Sequence, residues 1–217
     1  MVNVFVSSFN PKRSAEVLPN LLCQRMCLEA AEILCGSQWN MRLGREQTPS
    51  RKDVPDAPHL PPYRRSLGQR KHPIVLWAMA DRAHYVWLLK HMAALAEEHK
   101  LRYPGSGFPS PYLNTYEWLR LRSHKIPTEY SYTPVQASEL MYYGAFNQKD
   151  FLQFSDDIRV QYRLSLLYKW MYEYKRVHSW LPRKPPEWAF DAEYRSILRE
   201  IYGKPTTLTS KGELRRR

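Results

Sequence analysis

From Arg70 to Tyr103 the chain reads RKHPIVLWAMADRAHYVWLLKHMAALAEEHKLRY, joining a basic approach, a His-Pro helix entry and a long run of aromatic residues and histidines. Within it Tyr85, Leu88, Leu89, Met92, Leu95 and Ala96 follow the i, i+3, i+4, i+7 spacing that lays one apolar stripe along a helix. That period predicts a helix over Arg82 to Arg102, with Asp81 as its cap. His72-Pro73 starts a shorter helix just ahead, because the fixed φ of proline suits the first helical position. A stripe of this length must be buried against other helices, so the chain is predicted to be mainly α.

The same logic organises the rest. VNVFV at 2–6 is a short β-prone run stopped by Ser7, Ser8 and the Asn10-Pro11 turn signal, which predicts a brief strand or extended arm. A helical pattern begins at Ser14 and is interrupted by Pro19. Leu21, Leu22, Met26, Leu28 and Ile33 then predict a helix from Asn20 to Cys35, ended by Gly36. Residues 37–71 hold Gly44, Pro49, Pro55, Pro58, Pro61 and Pro62 among many charges, so they are expected to form a long loop or insertion that closes over a ligand or docks other proteins. Breaks at Pro104, Gly105, Gly107 and Pro109 precede a short helix from Tyr112 to Arg122, and 126–144 reads as irregular. Ser155, Asp156 and Asp157 cap a helix running to His178, Pro182, Pro185 and Pro186 form an elbow, and Asp191 to Tyr202 is a last helix. One domain over 1–202 is expected, followed by a basic flexible tail over 203–217 that, with the 37–71 loop, is expected to serve any assembly with other proteins.

Lysine and arginine number 33 against 21 acidic residues, leaving a formal net charge of +12. An excess of that size favours nucleic acid over a small acidic metabolite as partner. No apolar run approaches the roughly 18 to 20 residues that cross a bilayer. The opening lacks the order of a secretory signal, so no membrane partner and an intracellular location are expected. Cys23, Cys27 and Cys35 have no histidine nearby and are expected to pack as small apolar groups in a reducing compartment. His84 and His91 share a helical face but stand seven apart, too far for one ion, so no metal is expected. No P-loop, dinucleotide fingerprint or nucleophile elbow occurs, which removes nucleotide-triphosphate hydrolysis and dinucleotide redox chemistry, and no cofactor is expected.

Several residues remain as candidates for chemistry. Arg25 and Glu29, four apart, share one helix face; the alternative reading of Glu29 is an exposed helix carboxylate, since Glu32 three residues on shows that acids on this helix are not special. Lys71 and His72 stand at a helix start, where a histidine either caps the helix or meets a phosphate. Arg159, Arg163, Lys169, Lys175 and Arg176, with Tyr162 among them, form either a phosphate-contact stripe or a solvated helix face. Trp77, Trp87 and Trp180 are expected in the core rather than as base-stacking platforms.

Four segments carry a resemblance: the opening MVNVFVSSFNPKRSAEVL, the helix with Arg25 and Glu29, RKHPIVLWAMADRAHYVWL, and the closing KRVHSWLPRKPPEW. Together they resemble a family of small phage, giant-virus and bacterial proteins that share an N-terminal strand, an NHP-like helix entry and a PEW-like ending. That family is similar in turn to the pyrimidine-dimer DNA glycosylases of the endonuclease V type, all-helical enzymes in which the N-terminal amine attacks the sugar and a helix-one glutamate assists. The resemblance implies Glu29 as the glutamate and Val2, after loss of Met1, as the amine. Breaking an N-glycosidic bond builds positive charge on the sugar, and a nearby carboxylate stabilises it. Leu28 stands where the pattern has an arginine, so Arg25 has to reach the phosphate from one turn earlier. The expected function is DNA binding, with base excision by Glu29 beside a basic groove of Arg25, Lys71, His72, Arg82, Arg163 and Lys175. A non-enzymatic nucleic-acid-binding protein and a virion or ribonucleoprotein component are the alternatives that the same charges allow.

Overall fold

The apolar stripe finds its partner in the preceding long helix. In this computed structural model, residues 4–44, 47, 52, 57–106, 110–128, 155–173, 179–203, 207–208 and 214–215 are described. Their order is α1 (Pro11–Glu16), α2 (Asn20–Leu43), α3 (Pro73–Ala80), α4 (Arg82–Arg102), α5 (Ser110–Arg120), α6 (Ile158–Tyr168) and α7 (Ala192–Tyr202), so the protein is mainly helical. Cys23 Sγ lies 3.4 Å from the Leu95 carbonyl, Cys27 Sγ 3.8 Å from that of Met92, and Gln38 Nε2 donates to Tyr85 Oη at 3.1 Å. Rising positions on α2 therefore meet falling ones on α4, and the two run antiparallel. Small thiols at the seam let the backbones approach, and all three cysteines are buried and free. The surrounding core is one contiguous cluster reaching from Val4 to Leu198. Among the described residues no helix is long and apolar enough to cross a membrane.

Helix starts follow the capping chemistry of the sequence. Asn10 Oδ1 accepts from the Lys12 and Arg13 amides ahead of α1, and Asp81 Oδ1 accepts from the Ala83 amide at 2.6 Å ahead of α4. Asp191 does the same for α7. His72 Nδ1 accepts from the Ile74 amide at 3.3 Å, so the histidine caps α3 with a bare ring nitrogen.

Several boundaries differ from expectation. Gly36 does not end α2, which continues to Leu43. The glycine serves a close approach, since a Cβ there would lie 3.1 Å from Val75 Cγ1 on α3. The predicted loop over 37–71 is therefore partly helical: residues 37–43 complete α2, and Arg64–Gln69 forms a 3-10 helix. Leu60 and Leu67 pack with Trp39 in a second small core, and Trp39 Nε1 donates to the Tyr63 carbonyl. Val4, Phe5 and Val6 are buried without forming a strand, and the Val6 amide donates to Tyr162 Oη at 2.6 Å. Tyr162 is thus interior rather than part of a surface stripe. After α6 the chain passes into a π-helical turn, Lys169–Glu173, and the expected extension to His178 lies outside the described residues. Of the irregular 126–144 stretch, 126–128 is described, with the Pro127 carbonyl accepting from the Arg82 amide at 2.8 Å. Within the tail, Thr207–Leu208 pairs with Leu214–Arg215 in a short antiparallel ladder.

A buried ion network ties the two ends of the described chain. Arg102 donates to the Leu18 carbonyl, to the Glu16 carbonyl at 2.9 Å and to Asn20 Oδ1 at 3.1 Å, gathering the unpaired carbonyls beyond α1. Its charge is met by Glu98 at 2.9 Å, and Arg183 from the elbow reaches the other Glu98 oxygen at 2.6 Å. Burial alone would raise the Glu98 carboxyl, but the bonds from Arg183 and Arg102 outweigh it and hold the group below the usual carboxylate range. Trp180 Nε1 donates to the Val17 carbonyl at 2.8 Å beside this network.

On the opposite edge the N-terminal arm lies along α4. Trp87 Nε1 donates to the Phe9 carbonyl at 2.6 Å, and His91 Nδ1 is 2.9 Å from the Pro11 carbonyl. A carbonyl only accepts, so His91 carries its proton on Nδ1, and its Nε2 is buried with no partner. Burial lowers the imidazole to about 4, against 6.5 for the free group.

Two expectations follow from these ties. Arg102→Met leaves Glu98 half-compensated in the interior, and urea denaturation should show a loss of about 3 to 5 kcal/mol; a loss within error of wild type would remove the network from the stability account. For His91, the unfolded chain binds a proton below pH 6.5 that the native state refuses until about 4, so stability is complete above 6.5 and falls toward 4. At about 1.4 kcal/mol per pH unit this contributes about 3 kcal/mol, and His91→Gln should flatten that part of the stability curve.

Candidate functional site

Arg25, Glu29 and Glu32 occupy successive turns on one face of α2, the spacing of four and three residues that a helix brings into line. Arg25 Nε donates to Glu29 Oε1 at 2.8 Å. The pair is one-sided: the arginine side chain is 60% exposed and the glutamate 8%. Glu32 is also buried, at 5%. Two carboxylates one turn apart in the interior are costly unless donors face them.

The phenols of Tyr63, ahead of the 3-10 helix, and Tyr112, on α5, lie near Glu32 and the Cys27 thiol, with their rings 6.5 Å apart and 25° from parallel. Burial first, and neighbouring acidic groups second, raise both phenols above their ordinary value, so they remain protonated donors. Burial pushes the Cys27 and Cys35 thiols up to about 12. A sheltered carboxylate with a cation on its outer side, as Glu29 has, is suited to meeting positive charge that develops on a substrate.

The other candidates stand elsewhere. Lys71 is exposed at the entry to α3, and His72 is occupied in capping that helix, with its imidazole lowered by burial. Arg82 donates from Nη2 to the His124 carbonyl at 2.8 Å and from Nε to that of Ile126 at 3.1 Å, anchoring the 124–127 segment to α4. Arg163 is half-buried on α6. Val2 and Lys175 lie outside the described residues. Of the named basic side chains that are described, Arg25 is the one bonded to Glu29.

Trp77, Trp87 and Trp180 are buried, as expected of core residues. Trp77 and Trp87 stack on His84 and His91, and Trp180 packs edge-on against Trp170. Among the described residues no group of three or more metal-ligating side chains is placed to hold an ion. The residues that sequence reasoning missed are Glu32, Tyr63 and Tyr112. The 25, 29, 32 spacing was a usable signal for the first, whereas the phenols come from segments whose packing on α2 has no periodic trace.

The raised thiols give a direct check on this interior. At neutral pH a thiol near 12 is almost wholly protonated and, being buried, is closed to reagent. Native protein should show no fast reaction with a disulfide reagent, and all three cysteines should react after denaturation; fast native labelling of Cys27 or Cys35 would contradict the sheltered site.

No protein-family model, no curated protein and no solved structure matches this chain.

Proposed function

We propose that this protein binds nucleic acid, DNA in the first place, and that Glu29 is the carboxylate of a base-excision site. The observation that carries the reading is the one-sided ion pair: an 8% exposed Glu29 whose outer face is held by a 60% exposed Arg25. A phosphate oxygen is a strong competitor for a guanidinium. When backbone phosphate draws Arg25 outward, the Glu29 carboxylate is left facing the sugar, where low polarity strengthens its hold on the cationic centre formed as the base departs. The net charge of +12 supplies long-range attraction for the duplex. An N-terminal amine at Val2, freed by loss of Met1, extends the chemistry to strand cleavage through an imine, and an activated water supports excision alone.

The competing reading is binding without catalysis, with Glu29 serving only as the partner of Arg25. It is favoured by the engagement of Arg82 and His72 in backbone contacts, which leaves fewer free donors around one site.

Incubation with ultraviolet-treated or base-modified duplex, with and without borohydride, separates the two. The excision reading expects base release, or a trapped adduct if the amine takes part, and a fall of about 100-fold or more in Glu29→Gln. Clean binding with no product from any lesion, unchanged in Glu29→Gln, sinks the enzymatic reading, and an affinity insensitive to salt sinks the nucleic-acid reading as well.

A further inference from the structure

We infer that the groove along the outer face of α4 is a separate contact for unstacked bases of a single strand, an inference that rests on the reading of the protein as a nucleic-acid binder. The groove comprises two adjoining cavities. The larger, about 440 Å³, is lined by Phe9, Pro11, Arg82, Val86, Trp87 and Lys90 among others. The smaller, about 290 Å³, shares Pro11 and Lys90 with it and adds Lys12, Ala93 and Glu97. Ala83, Val86, Lys90, Ala93 and Glu97 step along α4 at intervals of three and four, so the two cavities form one channel parallel to the helix axis. Neither Glu29 nor Glu32 nor the Tyr63 and Tyr112 phenols line it, and it is therefore not the base-excision site.

The chemistry of its walls selects the occupant. Phe9 is 44% exposed, an open aromatic face held in place because its own carbonyl accepts from Trp87 Nε1. Trp87 stacks on His91 with ring centroids 5.0 Å apart, which commits its face to the interior and leaves Phe9 as the stacking platform. Base stacking on an aromatic side chain is indifferent to sequence, as expected of a single-strand contact. Lys90 stands between the two cavities, where the phosphate linking successive nucleotides would lie, and Lys12 stands beyond it. Both are exposed, and neither forms an ion pair among the described residues. Arg82 adds charge at the near end, although its Nε and Nη2 are already donating. Against three cations the walls hold two carboxylates. Asp81 is buried in its cap, leaving Glu97 at the far end as the exposed one. An anionic, aromatic-rich ligand of repeating charge fits this balance, and an acidic peptide, which lacks the aromatic repeat, fits it less well.

The test uses the full chain and a labelled oligothymidylate, with the duplex of the same length alongside, followed by anisotropy across a salt series. Phe9→Ser should weaken the single strand by at least about fivefold while changing the duplex little. Lys90→Glu should weaken it too and lower the salt slope by roughly one phosphate equivalent, more than the same reversal at the exposed Lys184 of the elbow. Phe9 is exposed and its structural bond is made by the backbone, so Phe9→Ser keeps the fold, and an unchanged circular dichroism spectrum verifies it. If wild type binds with a steep salt dependence but both variants bind as tightly, the groove is not the contact and the general reading survives. If wild type binds no nucleic acid, both fall. If polyglutamate binds and loses affinity in Phe9→Ser while the oligonucleotide does not, the occupant is an acidic peptide and the inference is overturned.

Discussion

Everything in this molecule is arranged around the antiparallel seam of α2 and α4. The apolar stripe of α4 has to be removed from water, and α2 offers it a surface of small buried side chains, Cys23, Cys27, Ala30 and Ala31, that lets the two helices approach closely. Once the pair is formed, each outer face becomes a platform. On one flank of α2 the Gly36 gap admits Val75 of α3, and Trp39 gathers the 3-10 helix. On the outer flank of α4 the N-terminal arm is fastened by Trp87 and His91. The proposed carboxylate site and the proposed single-strand groove are thus on the two helices of one packed pair.

Much of this arrangement was legible in the residues themselves. The span of α4, the proline start of α3, and the caps at Asp81 and His72 follow local chemistry, and local chemistry is what a sequence displays. The end of α2 is not legible because a glycine has two meanings. Local pattern reads Gly36 as a helix stop, whereas its role is to make room for Val75, a partner 39 residues away in the chain. The 37–71 segment reads as a loop for a related reason: its prolines dominate the local pattern, and the burial of Trp39, Leu60 and Leu67 depends on tertiary packing.

The candidate site was legible in part. A spacing of four put Arg25 beside Glu29, and that contact exists. No spacing reveals that both Glu29 and Glu32 are shielded, and the neighbours of Glu32, Tyr63 and Tyr112, come from the segment before the 3-10 helix and from α5. Arg82 shows how packing qualifies a charge: it is a cation on the surface of α4, and two of its nitrogens, Nε and Nη2, already donate to the carbonyls of Ile126 and His124. Cationic composition tells that a polyanion is attracted, and only packing tells which cations are free to receive it.

The Arg102 network bears on how the chain is made. Glu98, Arg102 and the carbonyls beyond α1 all emerge from the ribosome well before Arg183, so the nascent helices can settle with one guanidinium on Glu98 and room left for another. The elbow lies across these helices as a clasp: Trp180 Nε1 donates to the Val17 carbonyl and the Ser179 carbonyl accepts from the Asn20 amide. In the finished molecule the early helices act as a receptor, and the segment that follows them last in the sequence is its own chain's ligand.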